Sequence, residues 1–243
     1  FFYTHTRQPP IPLRLVGSEM CIRDRNIAIV GVGGIGSNLA SLIVPSLSQG
    51  DLSQRFSKIN INLYDSDKVE GANIFHQRFN QSNIGETKVL ATKKNLSSFE
   101  HDKLEIVPHG MDVRKKEDIE DNNLIVVCVD SSDARIVVHS TNSKWLDLRC
   151  RGDNFMSIDH TTKKNIIKSI TDIDQKPGSC QYEGALESGN IQFGFMYAAS
   201  FGAQWVIQNL RGENEGNNVL MPYPRSESIT FGTLGNFEKE EGS

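Results

Sequence analysis

Short apolar runs alternate with amphipathic stretches along the first part of the chain. "NIAIV" (26–30) is an unbroken apolar run stopped by glycine, the pattern of a strand buried on both faces. "SNLASLIVPSL" follows with helical spacing and predicts a helix from about Gly36, disturbed at Pro45. After the polar loop "SQGDLSQRFS", the alternation in "KININLY" (58–64) predicts a second strand. "ETKVLATKKNLSSF" predicts a helix with Val89, Leu90 and Leu96 on its buried side. "LEIVP" and the strongly apolar "NNLIVVCVD" read as third and fourth strands, "ARIVVHS" as a short helix and "KWLDLRC" as a fifth strand. Strands separated by helices define an α/β protein with a Rossmann-like, doubly wound, mostly parallel sheet and helices on both faces.

The rhythm changes from about Gly152. "FMSIDH" and "NIIKSIT" are expected to be strands, added antiparallel to the sheet. "DIDQKPGSCQYEGALESGN" is a polar connection without periodicity. It leads into "IQFGFMYAASFGAQWVIQNLRG", where Ile191, Phe195, Ala199, Gly202, Val206 and Leu210 recur at helical spacing. That stripe is expected to pack on the sheet or on a partner subunit. The expected organisation is a leader over residues 1–25, a nucleotide-binding domain over 26–212 and a polar tail over 213–243. The leader has neither strand alternation nor a helical stripe, and lacks the apolar core of a signal peptide. Its "SEMCIRDR" resembles translated sequencing-adapter read-through, so residues 1–25 are expected to be non-native.

Composition narrows the class. A chain of 243 residues is long enough for one sizeable core. The net charge of −4 argues against bulk nucleic-acid binding. The leader holds Arg7, Arg14, Arg23 and Arg25 against Glu19 and Asp24, so the remainder is more acidic still. No apolar run approaches the roughly 20 residues that span a bilayer, so no membrane association is expected. Cys21, Cys128, Cys150 and Cys180 form no CxxC pair, which speaks for a reducing, cytoplasmic setting.

The candidate chemistry begins with "GVGGIG". Gly31, Gly33, Gly34 and Gly36 lie directly between a strand and a helix, where the chain can turn tightly and bring helix N–H groups to a phosphate. This signals a nucleotide without saying which one. Asp65 ends the second strand and is placed to accept ribose hydroxyls. Asp130 ends the fourth strand at the same edge of the sheet. It is read either as the N-cap of the following helix or as a carboxylate that holds Mg²⁺ beside a triphosphate. Arg135, five residues on, is placed to steady that aspartate or to cap a loop.

The succession "GVGGIGS", "DSDKVEGAN", "QRF", "IGETK" and "CVDSSDAR" resembles the ThiF family of adenylating enzymes, over about residues 26–212. The resemblance implies ATP and Mg²⁺ as cofactors. It also implies adenylation of the C-terminal carboxylate of a small ubiquitin-like or sulfur-carrier protein ending in Gly-Gly. Carried onto this sequence, it assigns nucleotide contacts to Gly31, Gly33, Gly34, Gly36, Asp65, Asp67, Asn73, Gln77 and Ser131. Lys88 is to reach the triphosphate and Asp130 to hold the metal. Cys180, in "GSCQYEG", stands where some relatives carry a cysteine that takes the activated acyl group; otherwise it is a small loop residue. A homodimer is expected.

The sequence departs from the family pattern in three places. The arginine expected just before the glutamine is His76, and an arginine follows instead as Arg78. Arg78 is the first candidate for the phosphate contact, because guanidinium keeps its charge and offers a fork of donors, and His76 is the alternate. The paired CxxC motifs of many members are absent, so no zinc is expected. The family also commonly uses an arginine from the N-terminal region of the partner subunit. With the suspect leader in that place, this chain is expected to bind ATP yet adenylate poorly. Two other readings compete: an NAD-dependent oxidoreductase, which leaves Asn73, Arg78, Lys88 and Asp130 without a role, and a non-catalytic nucleotide-binding scaffold.

Overall fold

A computed structural model describes residues 24–171, 180–212 and 228–230. The leader up to residue 23, positions 172–179 of the polar connection and most of the tail lie outside them.

Five parallel strands form the frame: β1 (Arg25–Val30), β2 (Ile59–Tyr64), β3 (Leu104–His109), β4 (Leu124–Val127) and β5 (Lys144–Arg151). Two antiparallel strands, β6 (Asn154–Asp159) and β7 (Ser228–Thr230), extend the β5 edge. The order β3-β2-β1-β4-β5-β6-β7 shows that the chain winds outward from β1 in one direction, then returns to place β4 on its other side. The reversal opens a crevice beyond the carboxyl ends of β1 and β4, the place where such sheets hold ligands.

Helices cover both faces. On one face α1 (Gly34–Ser48), α3 (Lys88–Leu96) and α6 (Gly194–Arg211) pack over Ile27, Ile29, Ile61, Leu146 and Leu148. On the other, α4 (Ser132–His139) and α5 (Lys164–Thr171) cover Ala28, Ile125, Val127, Trp145 and Ile158. Central strands buried on both sides need the continuous apolar runs seen in the sequence. The expected stripe on α6 is buried at Phe195, Ala199, Val206 and Leu210, against α1 and strands β5 and β6. Ile191 precedes the helix and packs on the same core.

Four local expectations change. Residues 164–171 form a helix, not a strand: Ile167 and Ile170, three apart, pack on the α4 face while Ile166 is more exposed. A turn closed by the Asp159 carboxylate, which accepts from the Thr161 N–H at 2.9 Å, ends β6 and frees the segment to coil. Leu90 is 53% exposed; the buried face of α3 runs through Val89, Thr92 and Leu96, at spacings of three and four. Pro45 lies inside α1, which continues past it to Ser48, with Val44 and Leu47 buried on either side. The polar loop before β2 contains a single helical turn, α2 (Asp51–Gln54).

Candidate functional site

The glycine turn is built by steric necessity at two positions. Gly31 has φ +90°, and a side chain there would sit 2.8 Å from Val129 Cγ1, so the end of β1 presses against the chain leaving β4. A Cβ on Gly36 would collide with the Gly31 carbonyl oxygen, which makes the close approach of helix and turn possible only for glycine. Gly33 caps α1 with no side-chain hydrogen bond, so the first N–H groups of the helix face the crevice without a capping side chain. Space above Gly33 is open to 4 Å.

Asp65 is wired into this turn more tightly than the sequence reveals. Its Oδ2 accepts from the Val32 N–H at 2.7 Å, and its Oδ1 from the Asp67 N–H at 2.8 Å. Burial pushes its carboxyl above the usual range, while the Lys88 charge and the two backbone donors oppose the shift. Lys88 opens α3 with only 9% of its surface exposed, and its ammonium lies 2.8 Å from Asp67 Oδ2. That carboxylate faces solvent, with two thirds of its side chain exposed. Lys88 therefore has a flexible surface partner from which it can be drawn by a stronger anion.

The segment after β2 reaches the turn through His76. The ring Cδ2 lies 3.3 Å from where a Cβ on Gly34 would stand, and burial followed by the Lys88 charge lowers its pKa. His76 Nδ1 and Gln77 Oε1 are buried without hydrogen-bond partners among the described residues. Arg78 is held by its backbone: its N–H donates to Ser37 Oγ at 3.1 Å, and its carbonyl accepts from Asn95. The Arg78 side chain is exposed. Of the two phosphate-contact candidates, the alternate His76 is thus the one whose ring meets the glycine turn. Asn73 uses its side-chain oxygen to accept from the Glu70 N–H at 2.9 Å, closing the 3-10 turn Gly71–Phe75.

Asp130 follows β4, exposed, and its carboxylate has no hydrogen bond or ion pair among the described residues. The N-cap of α4 is Ser131, so the capping reading of Asp130 does not hold. Cys180 completes the ring, with its Sγ 3.3 Å from the same Gly34 position. The Cys150 thiol donates to it and holds its pKa below the usual thiol value, against burial and the Asp130 charge. Cys150 is pushed up by that hydrogen bond and by burial, and Cys128 is raised by burial. His76 and Cys180 thus meet at Gly34, the Lys88 charge acts on the first and the Asp130 charge on the second.

These residues fit a nucleoside triphosphate with magnesium on three counts. Among the described residues the helix start is open, two buried polar atoms lack hydrogen-bond partners, and the Asp130 carboxylate has no hydrogen bond or ion pair. Among the described residues no group of three or more His, Cys, Asp or Glu side chains converges on a metal position. A magnesium ion bound by one carboxylate, phosphate oxygens and water needs no such group. A polar groove of about 730 Å³, bounded by Arg25, Asn122 and Lys144, lies at the amino ends of β1, β4 and β5 and is separate from this site. No described helix is long and apolar enough to cross a membrane.

Sheet order, glycine turn and carboxylates define a Rossmann-like α/β protein with a nucleotide-shaped crevice. The sequence profile of the ThiF family matches residues 11–227, and the chain belongs to that family. Ubiquitin-like modifier-activating enzyme 5 of Drosophila sechellia is 30% identical over 145 residues, covering 52% of this chain and 33% of that protein. The same enzyme of Drosophila persimilis is 28% identical over 153 residues, covering 56% and 37%. The chain thus spans little more than a third of the length of these relatives. Among solved structures, PaaA superposes with a TM-score of 0.56 at 17% identity, covering 85% of this chain and 64% of PaaA. E. coli MccB with ATP gives 0.55 at 16% identity, covering 87% and 65%. At such identity the likeness is one of fold.

Proposed function

We propose that this chain uses ATP to adenylate a carboxylate, that of the C-terminus of a small ubiquitin-like or sulfur-carrier protein ending in Gly-Gly. The observation that carries the reading is the uncapped start of α1, met at Gly34 by His76 and Cys180, with the charges of Lys88 and Asp130 acting on those two side chains. The carboxylate oxygen attacks the α-phosphorus, the bond to the bridging oxygen breaks, and pyrophosphate leaves with the electron pair. The carboxylate is already ionised, so the step needs no general base. Negative charge grows on phosphate oxygens, and fixed donors aimed at them favour the transition state over the ground state. The α1 N–H groups and Lys88 are those donors. Asp130 would hold magnesium, which when bound supplies further positive charge at the phosphates. Asp65 and Asp67 serve the ribose side, with Asn73, Gln77, Ser131 and the exposed Arg78 lining the approach.

Cys180 is assigned to a following step only. Its thiolate attacks the acyl carbon, the bond to the phosphate oxygen breaks, and AMP departs. The functional unit is a homodimer, supported by exposed Phe193 and Tyr197 at the start of α6; a sedimentation mass of one chain would remove that element. The relatives named as modifier-activating enzymes support the choice of a protein carboxylate.

The test is Mg²⁺-dependent exchange of pyrophosphate into ATP, with candidate carrier proteins. Exchange is expected to depend on a carrier and to be abolished by Asp130→Asn, a change at an exposed, unpaired side chain that leaves the fold intact. Cys180→Ser is expected to preserve exchange, since exchange precedes acyl transfer. Tight NAD binding with no exchange overturns the reading.

A further inference from the structure

Behind the site, on the α4 face of the sheet, Asp147 is fully buried on β5. Its Oδ2 lies 2.7 Å from Arg149 Nη2 and 3.2 Å from His139 Nε2, and its Oδ1 lies 3.3 Å from Arg135 Nε. Arg149 closes the far side by donating to the Ile170 carbonyl at 2.7 Å, which ties α5 to the sheet. Arg135 turns the other way. Its Nη1 donates to the Asp130 carbonyl at 3.3 Å, and its Nη2 donates to the Val129 carbonyl. These are the two residues that leave β4 and carry the candidate metal-binding carboxylate.

One guanidinium therefore joins an ion pair with Asp147 to hydrogen bonds on two carbonyls. The Asp147 carboxylate fixes it from below, and two successive backbone carbonyls receive its outer N–H groups. A rigid five-donor fork can make this connection; an ammonium, with donors on a single atom, cannot reach a carboxylate and both carbonyls at these positions. The turn it grips has no capping help of its own, because Ser131 makes no side-chain hydrogen bond to the α4 backbone. The same turn abuts the glycine loop, where Val129 Cγ1 lies against the position of a Gly31 side chain.

We propose that Arg135, anchored by Asp147, is a positioning residue that holds the Val129–Asp130 turn so that the Asp130 carboxylate faces the nucleotide crevice. It touches neither nucleotide nor metal; it acts through the backbone that carries Asp130. The arrangement separates two duties of one buried cluster. The Arg149 arm joins α5 to β5 and serves the fold, while the Arg135 arm sets the geometry of the site. The role given to Asp130 rests on the function proposed above, whereas the grip on the turn can be measured without it.

The experiment compares Arg135→Lys with Arg149→Lys. Both keep a positive charge beside Asp147, and only the first removes the fork from the turn. Amide hydrogen exchange in the nucleotide-free protein is expected to quicken at least about tenfold over residues 128–132 in Arg135→Lys. It should stay unchanged there in Arg149→Lys. In parallel, the Mg²⁺ concentration that half-saturates ATP binding is expected to rise about tenfold in Arg135→Lys alone, an order typical of losing support behind a metal ligand. Equal exchange in the two variants, or loosened exchange with an unaltered Mg²⁺ dependence, overturns the proposal. If the unaltered protein binds no ATP with Mg²⁺, the proposed function fails, and with it the purpose assigned to the turn. The exchange comparison still decides whether Arg135 grips it.

Discussion

Replacing Asp147 with alanine is expected to lower the stability of the fold by about 3–5 kcal/mol, the cost of leaving buried charge unpaired. Against a total stability of about 5–15 kcal/mol, that loss brings the chain close to unfolding. The reason lies in the balance of the cluster. Arg135 is buried and Arg149 partly buried against this one carboxylate, and alanine would take from both guanidinium ions the anion that faces them. An asparagine in the same place would fill nearly the same space and still take that anion from both cations. Asp147→Asn is therefore expected to lose most of what the alanine variant loses, which separates charge from cavity. Urea unfolding of the three proteins measures it; a loss below about 1 kcal/mol in Asp147→Ala would falsify the account.

The same carboxylate has a pH signature. Burial alone would raise its pKa, but the close contact of His139, the hydrogen bonds from Arg149 and the charge of Arg135 outweigh it and hold the folded value below that of an ordinary aspartate. A depressed carboxyl pKa stabilises the folded state fully above the unfolded value of about 3.9. That contribution falls away as the pH drops through the lower, folded value. The unaltered protein should thus lose stability on acidification below about pH 4, with a flatter profile in Asp147→Asn over that window.

Lys88→Met is expected to reduce carrier-dependent ATP–pyrophosphate exchange by about 10²–10³-fold, the usual effect of removing one preorganised donor to a developing oxyanion. Methionine keeps the buried stem packed and removes only the ammonium. The ion-pair partner lost is Asp67, whose exposed carboxylate is rehydrated at little cost, while the buried Asp65 loses the Lys88 charge but keeps its two backbone donors. The thermal midpoint should accordingly stay within about a degree or two of the parent, so that the loss is one of rate and not of fold. A drop in exchange of less than about tenfold would remove Lys88 from the reaction.

The frame of the fold is readable because its signals are local. An apolar run ended by glycine, an alternating run and an amphipathic stripe each declare a segment without reference to the others. The failures are equally local. "NIIKSIT" carries three isoleucines close together, and β-branched residues in a short run resemble a strand as much as a helix. Which it becomes depends on whether a neighbouring strand or the apolar face of α4 receives it. Leu90 reads as buried only because it adjoins Val89, and one step along a helix turns a side chain by about 100°.

The site divides along the same line. The glycine turn, Asp65, Lys88 and Asp130 are visible as residue types at the ends of strands and the starts of helices. Their mutual wiring is not. The hydrogen bond from the Val32 N–H to Asp65 joins positions 33 residues apart, and the placement of His76 and Cys180 against Gly34 joins three separate segments. The Asp147 cluster has no such signal, since an aspartate inside an apolar strand gives no hint of its partners; the alternation that turns Asp147 and Arg149 to the face carrying α4 is the available clue. Order along the chain is thus enough to establish an α/β nucleotide fold and the family. Which side chain meets the glycine turn, and which buried charge braces it, depends on packing across strands distant in sequence, where burial removes water and makes each polar contact obligatory.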